Sequence, residues 1–151
     1  MKGKATVASV DPVKFPQLAK ALDELADAFT NMRDETQEIL GPHVVGVRNM
    51  GPGELFFQQS DRMGLTKSGL GCDVQLSRMS KTPRRSDQSF WDALDAFQAL
   101  CAKKIQQYLP EGEKMQLLVS FGIDAAVWNR TPGAPNTSLI ETDPLWVEGQ
   151  A

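Results

Sequence analysis

"KMQLLVSFGID", residues 114 to 124, sets Met115, Leu117, Val119, Phe121 and Ile123 on alternate positions, with mostly small or polar residues between them. Alternate side chains of a strand point to opposite faces, so this run reads as a strand with one buried face and predicts a central or near-central place in a sheet. "CDVQLSRM", residues 72 to 79, repeats the pattern with Val74 and Leu76 against Asp73, Gln75 and Ser77. "HVVGVRN" (43 to 49) and "ELFFQQ" (54 to 59) are rich in β-branched or aromatic residues, and "GPG" at 51 to 53 supplies a turn between them. The simplest arrangement of these three segments is a meander. "ATVASV", residues 5 to 10, adds one more candidate strand.

Two segments carry the helical period instead. Phe15, Leu18, Leu22, Leu25, Phe29, Met32, Thr36 and Ile39 recur in steps of three and four, which predicts one helix over residues 13 to 40, closed by Gly41-Pro42. The stripe fits a core-facing helix, because Ala19, Ala26 and Ala28 broaden it. Its spacing also fits a coiled-coil seam between copies, with Asp23, Glu24, Asp27, Asp34, Glu35 and Glu38 on the other faces. A second helix has Phe90, Leu94, Phe97, Cys101, Ile105 and Tyr108 as its apolar face, Ser86 or Ser89 as its cap and Pro110 as its stop. The order (β)-α-β-β-β-α-β predicts an α+β domain: a mostly antiparallel sheet of about four to five strands with two helices on one face.

With 151 residues, the chain suits one domain, expected over residues 1–123. Residues 124–151 have three prolines and no sustained period, and read as an irregular C-terminal arm. Trp128, Leu139, Ile140, Leu145, Trp146 and Val147 are too apolar for a solvated tail. The arm is therefore expected to pack on its own domain or on a neighbouring subunit, where tryptophans serve as anchors.

Two cysteines without CxxC spacing argue against a disulfide framework. No run approaches the ~18 apolar residues of a membrane span, and the N-terminus has no apolar signal core. The expected setting is cytoplasmic. Net charge is -3, yet residues 61 to 85 carry a local +4 from Arg62, Lys67, Arg78, Lys81, Arg84 and Arg85 against Asp61 and Asp73. Nucleic-acid binding usually marks a whole domain as basic, and no aromatic residue stands between Leu65 and Arg85 to stack on bases. Arginine forks bind carboxylates bidentately, so an acidic protein surface is the better partner for Arg78, Lys81, Arg84 and Arg85. A second copy offers one, through the carboxylates of the first helix.

Catalytic motifs are missing from the sequence. His43 has no second histidine beside it. Cys72 and Cys101 lie on apolar faces and read as core residues. "GLTKSGLG", residues 64 to 71, has its lysine before the last glycines and a strand after it, whereas a phosphate loop opens a helix. No catalytic residue, metal site or cofactor is expected. The leading expectation is a non-catalytic binding or assembly protein of bacterial or phage accessory type, resting on size and charge, that self-associates as a dimer or higher oligomer. Its partner-binding residues would be Arg78, Lys81, Arg84, Arg85, Trp128, Leu145 and Trp146. One alternative is a small metal-dependent enzyme acting on a nucleotide or phosphoester, with Asp73 and Asp124 at strand ends holding the metal. A further alternative is a nucleic-acid adaptor using the basic loop 78–85.

Overall fold

The computed structural model describes residues 6–8, 13–43, 52–59, 70–79, 84–123 and 139–150. Its elements, in chain order, are β1 (Thr6–Ala8), α1 (Pro16–Thr30), α2 (Arg33–Leu40), a short 3-10 turn (Gly41–His43), β2 (Pro52–Gln59), β3 (Leu70–Met79), α3 (Gln88–Tyr108), β4 (Lys114–Ile123), β5 (Leu139–Glu141) and β6 (Leu145–Glu148). The fold is mixed α and β, and most of its strand pairings are antiparallel. No described helix is long and apolar enough to cross a membrane.

The sheet runs β1-β2-β3-β4-β5, with β6 also on β4. β2 and β3 pair antiparallel, as neighbours in a meander do. The flanking pairs differ, because β1 runs parallel to β2 and β3 parallel to β4. Parallel neighbours need a long crossover connection, and the chain has one in each place: α1 and α2 lie between β1 and β2, and α3 lies between β3 and β4. β4 is central, with β3 on one side and β5 and β6 on the other. The expected strand over 43 to 49 falls mostly outside the described residues. Pro52 and Gly53 belong to β2 rather than to a turn before it.

The single helix expected over 13 to 40 is two helices, broken at Asn31-Met32. Thr30 and Asn31 are poor helix formers, and the Thr30 hydroxyl donates to the Ala26 carbonyl four residues back (2.9 Å), a contact that bends helices. Met32 N–H then bonds the Phe29 carbonyl, a tighter step than the α-helical one. The stripe is buried at Leu18, Leu22, Leu25, Phe29, Met32 and Thr36, but beyond the break Leu40 rather than the expected Ile39 is fully buried, Ile39 is only partly so, and Phe15 is exposed. The stripe packs into this chain's own core, which removes the coiled-coil seam.

α3 begins at Gln88, and Asp87 caps it, accepting from Phe90 N–H (3.3 Å). Ser89, expected as a cap, instead donates its hydroxyl to the same carboxylate (2.9 Å). Phe90, Leu94, Phe97, Cys101 and Ile105 join Cys72, Val74 and Leu76 of β3 and Met115, Leu117, Val119 and Phe121 of β4 in one buried cluster. Gly112, at φ 90°, turns the chain from α3 into β4, a conformation open to glycine at no steric cost.

Candidate functional site

The C-terminal residues read as an arm contain two strands. β5 pairs Leu139, Ile140 and Glu141 with Gly122, Phe121 and Ser120, and β6 pairs Leu145, Trp146, Val147 and Glu148 with Leu117, Gln116, Met115 and Lys114. Residues 139–141 and 145–148 thus form strands on the central strand of the same chain, while Trp128 and the rest of 124–138 fall outside the described residues. The two strands form one edge with a single extra residue. Ser120 faces Glu141 and Leu117 faces Leu145, so three residues, Thr142, Asp143 and Pro144, stand against Leu118 and Val119. That is a β-bulge. It reverses the alternation, which is how Ile140 and Val147, an odd number of residues apart, both reach the core. Pro144 is tolerated at a bulge, where the ladder lacks a donor requirement.

Polar contacts hold the bulge to α3. The Gln98 amide nitrogen reaches Thr142 Oγ1 (2.8 Å), the Asp143 carbonyl (2.8 Å) and the Leu117 carbonyl (3.3 Å). Val119 N–H donates to Thr142 Oγ1 (3.1 Å), and Thr142 N–H returns to the Val119 carbonyl (2.9 Å). Beyond β6, Gln150 N–H donates to the Gln106 carbonyl (3.0 Å), one of the last carbonyls of α3, which have no partner inside their own helix.

The ladder also shows which backbone groups remain outside it. Gly149 N–H donates to the Glu113 carbonyl (3.0 Å), which puts residues 113 and 149 at a hydrogen-bonding position of the ladder, although the Glu113 N–H itself turns to the Pro110 carbonyl (3.1 Å). Such positions alternate with non-bonded ones along an antiparallel ladder. Met115 with Val147 and Leu117 with Leu145 are then bonded, and the backbone N–H and C=O of Trp146 and Glu148 point to the outer edge. Leu145 and Trp146 are 39% and 38% exposed, two of the four large hydrophobic residues exposed among the described ones. Glu141, Asp143 and Glu148 are exposed on the same edge, and Lys114 pairs with Glu148 (3.3 Å).

Arg84 and Arg85 occupy the turn that leads into α3, both exposed. Asp87 N–H donates to the Arg84 carbonyl (3.0 Å), and the Trp91 indole N–H donates to it as well (3.2 Å). The backbone of the turn is anchored while its two guanidinium groups have no ion-pair partner among the described residues. Arg78 lies near the end of β3, and Lys81 is outside the described residues. Among the described ones, Arg84 and Arg85 do not converge with Leu145 and Trp146. Phe90 of α3 meets Phe121 of β4 (6.2 Å between rings), whereas Trp146 is registered on Gln116, five residues back along β4. At about 3.3 Å per residue those rows are roughly 17 Å apart, with the arginine turn at one end and the Trp146 edge well away from it.

Asp73, expected at a strand start, is the fourth residue of β3 and is registered on Leu118. Described β4 continues five residues further, to Ile123, or roughly 16 Å, and Asp124 falls outside the described residues. Among the described residues no group of three or more His, Cys, Asp or Glu side chains is placed to hold a metal. Cys72 and Cys101 are both buried free thiols in the core, and burial raises the pKa of Cys101 well above the ordinary thiol range. A thiol kept protonated in this way is a poor nucleophile.

The edge carboxylates Glu141, Asp143 and Glu148, and the Gln98 tie behind them, are absent from the residues singled out by sequence. Their signal was the change of alternation between Ile140 and Val147 across a Thr-Asp-Pro step. No family model matches the chain, and neither a curated protein nor a solved structure matches it.

Proposed function

We propose that this chain is a non-catalytic binding protein that self-associates, the Arg84–Arg85 turn of one copy docking on the carboxylates of α1 and α2 in another. The observation that carries this reading is a pair of complementary groups with no ion-pair partner among the described residues. Arg84 and Arg85 are exposed without an ion-pair partner among the described residues, and so are Asp23, Asp34 and Glu38. Asp34 also lies in the first turn of α2, where the helix dipole favours it, so Asp23 and Glu38 are the carboxylates left for a partner. Because the leucine stripe of α1 is buried in its own core, the contact is electrostatic and screened by salt. The acidic surface could equally belong to another protein of similar charge, but a second copy is present wherever the chain is.

Sedimentation at micromolar concentration and low salt is expected to show a dimer or larger species that shifts toward monomer as salt rises. Changing Arg84→Glu and Arg85→Glu together should abolish the larger species while leaving the melting temperature nearly unchanged, since neither side chain holds the fold. A monomer at low salt overturns the reading. So does a double variant that assembles like the parent.

A further inference from the structure

We infer that the outer edge of β6 is a peptide-binding edge, which takes a short, extended, basic segment of a partner protein by strand addition at Trp146–Glu148. This goes beyond the self-association proposed above and uses a different surface. Three observations meet there. First, the register and the Gly149–Glu113 hydrogen bond turn the backbone N–H and C=O of Trp146 and Glu148 outward, and among the described strands β6 pairs only with β4. Unpaired edge groups of this kind are the template that an added strand uses. Second, Trp146 exposes apolar surface beside this edge, and Leu145 does so on the opposite face, where side chains of an added strand would cover them.

Third, the charge is one-sided. Glu141, Asp143 and Glu148 are exposed along the edge, and Lys114 is the cation paired with it. A basic segment would meet these carboxylates, and an arginine beside Trp146 would lie on the indole face, an attraction between a cation and the ring's negative face. The run is bounded on both sides. The bulge and Pro144 end the regular ladder before Leu145, and Gly149 is buried against the Leu109 and Pro110 carbonyls after Glu148. The edge therefore accepts only a few residues of an added strand. That length gives a modest affinity, and it also guards against open-ended pairing between copies.

The test uses the whole chain with two synthetic peptides capped at both ends, an alternating arginine–valine pentapeptide and its glutamate–valine counterpart. Binding is followed by calorimetry and by amide hydrogen exchange. The arginine–valine peptide is expected to bind, to protect the amides of Trp146 and Glu148, and to weaken with salt. Glu148→Pro removes an outward N–H, at a position where an edge strand tolerates proline, whereas Glu148→Gln keeps it. The proline variant should bind roughly five- to tenfold more weakly than the glutamine variant, the worth of about one hydrogen bond. The inference is overturned if the glutamate–valine peptide binds as well, if the two Glu148 variants bind alike, or if the unaltered protein binds peptide without protecting those two amides. The exchange measurement stands even if the proline variant fails to fold.

Discussion

Gly149 shows how a single missing methyl group can close a fold. A Cβ placed there would lie 2.2 Å from the Pro110 carbonyl oxygen and 2.3 Å from that of Leu109. Both are backbone atoms, so nothing flexible can yield. Gly149→Ala is expected to cost roughly 1–3 kcal/mol, as overpacking of a tight site does, and to weaken the Gln150–Gln106 bond that follows it. Urea denaturation would measure this, and an unchanged midpoint would mean that the C-terminal residues do not dock on α3. Cys101 bears on stability through its proton. Its pKa is raised on folding by desolvation, so its contribution is complete below the unfolded thiol value and is lost as pH rises above it. Between neutral and alkaline pH the parent should lose more stability than Cys101→Ala does. Parallel losses in the two proteins would show that Cys101 is less buried than the fold requires.

At the scale of the element, β6 decides whether β4 is a central strand or an exposed edge. Its pairing covers Met115 and Leu117 on one side of β4, and Val147 adds a side chain that is only 3% exposed. Burying a valine is worth on the order of 1.5–3 kcal/mol, before the ladder hydrogen bonds are counted. Truncation after Asp143 removes β6, Gly149 and the Gln150 bond together. It also leaves the apolar strand β4 with unpaired backbone groups, which is the condition for edge-to-edge aggregation. A lower melting temperature and more aggregation are expected, read by calorimetry and light scattering. A truncated chain as stable and soluble as the parent would contradict the role given to β6. The Gln98 amide explains why the bulge persists: without it, the Asp143 carbonyl and one side of Thr142 Oγ1 would lose their donor from α3.

For the whole molecule, the two proposed binding surfaces sit at different places along β4. The arginine turn lies near the Phe121 end and the Trp146 edge lies beside Gln116. A side chain cannot bridge that separation, so the surfaces can act independently. Double charge reversal at Arg84 and Arg85 should leave peptide binding at the edge intact, and Glu148→Pro should leave self-association intact. Calorimetry and sedimentation on the same two variants separate the proposals, since each changes one readout and spares the other.

Much of the architecture was legible in the residues. The alternation from Met115 to Ile123 marked the central strand, the stripe from Leu18 to Met32 marked a core helix, and Cys72 and Cys101 on apolar faces marked two buried thiols. Each is a local periodicity, and a period states which face is buried without reference to any distant residue. Pairing direction was not legible, because period two is the same for parallel and antiparallel strands. The helix break at Asn31-Met32 was hidden by a stripe that continues across it. The strands after Ile123 were hidden because the bulge at Thr142-Asp143-Pro144 interrupts their alternation, and that bulge is held by Gln98, 44 residues away from Thr142. Local patterns determined which residues face inward. The tertiary contacts of α3, β4 and Glu113 between them decided that residues 139–150 complete the sheet, since the hydrogen bonds that hold them there come from these residues.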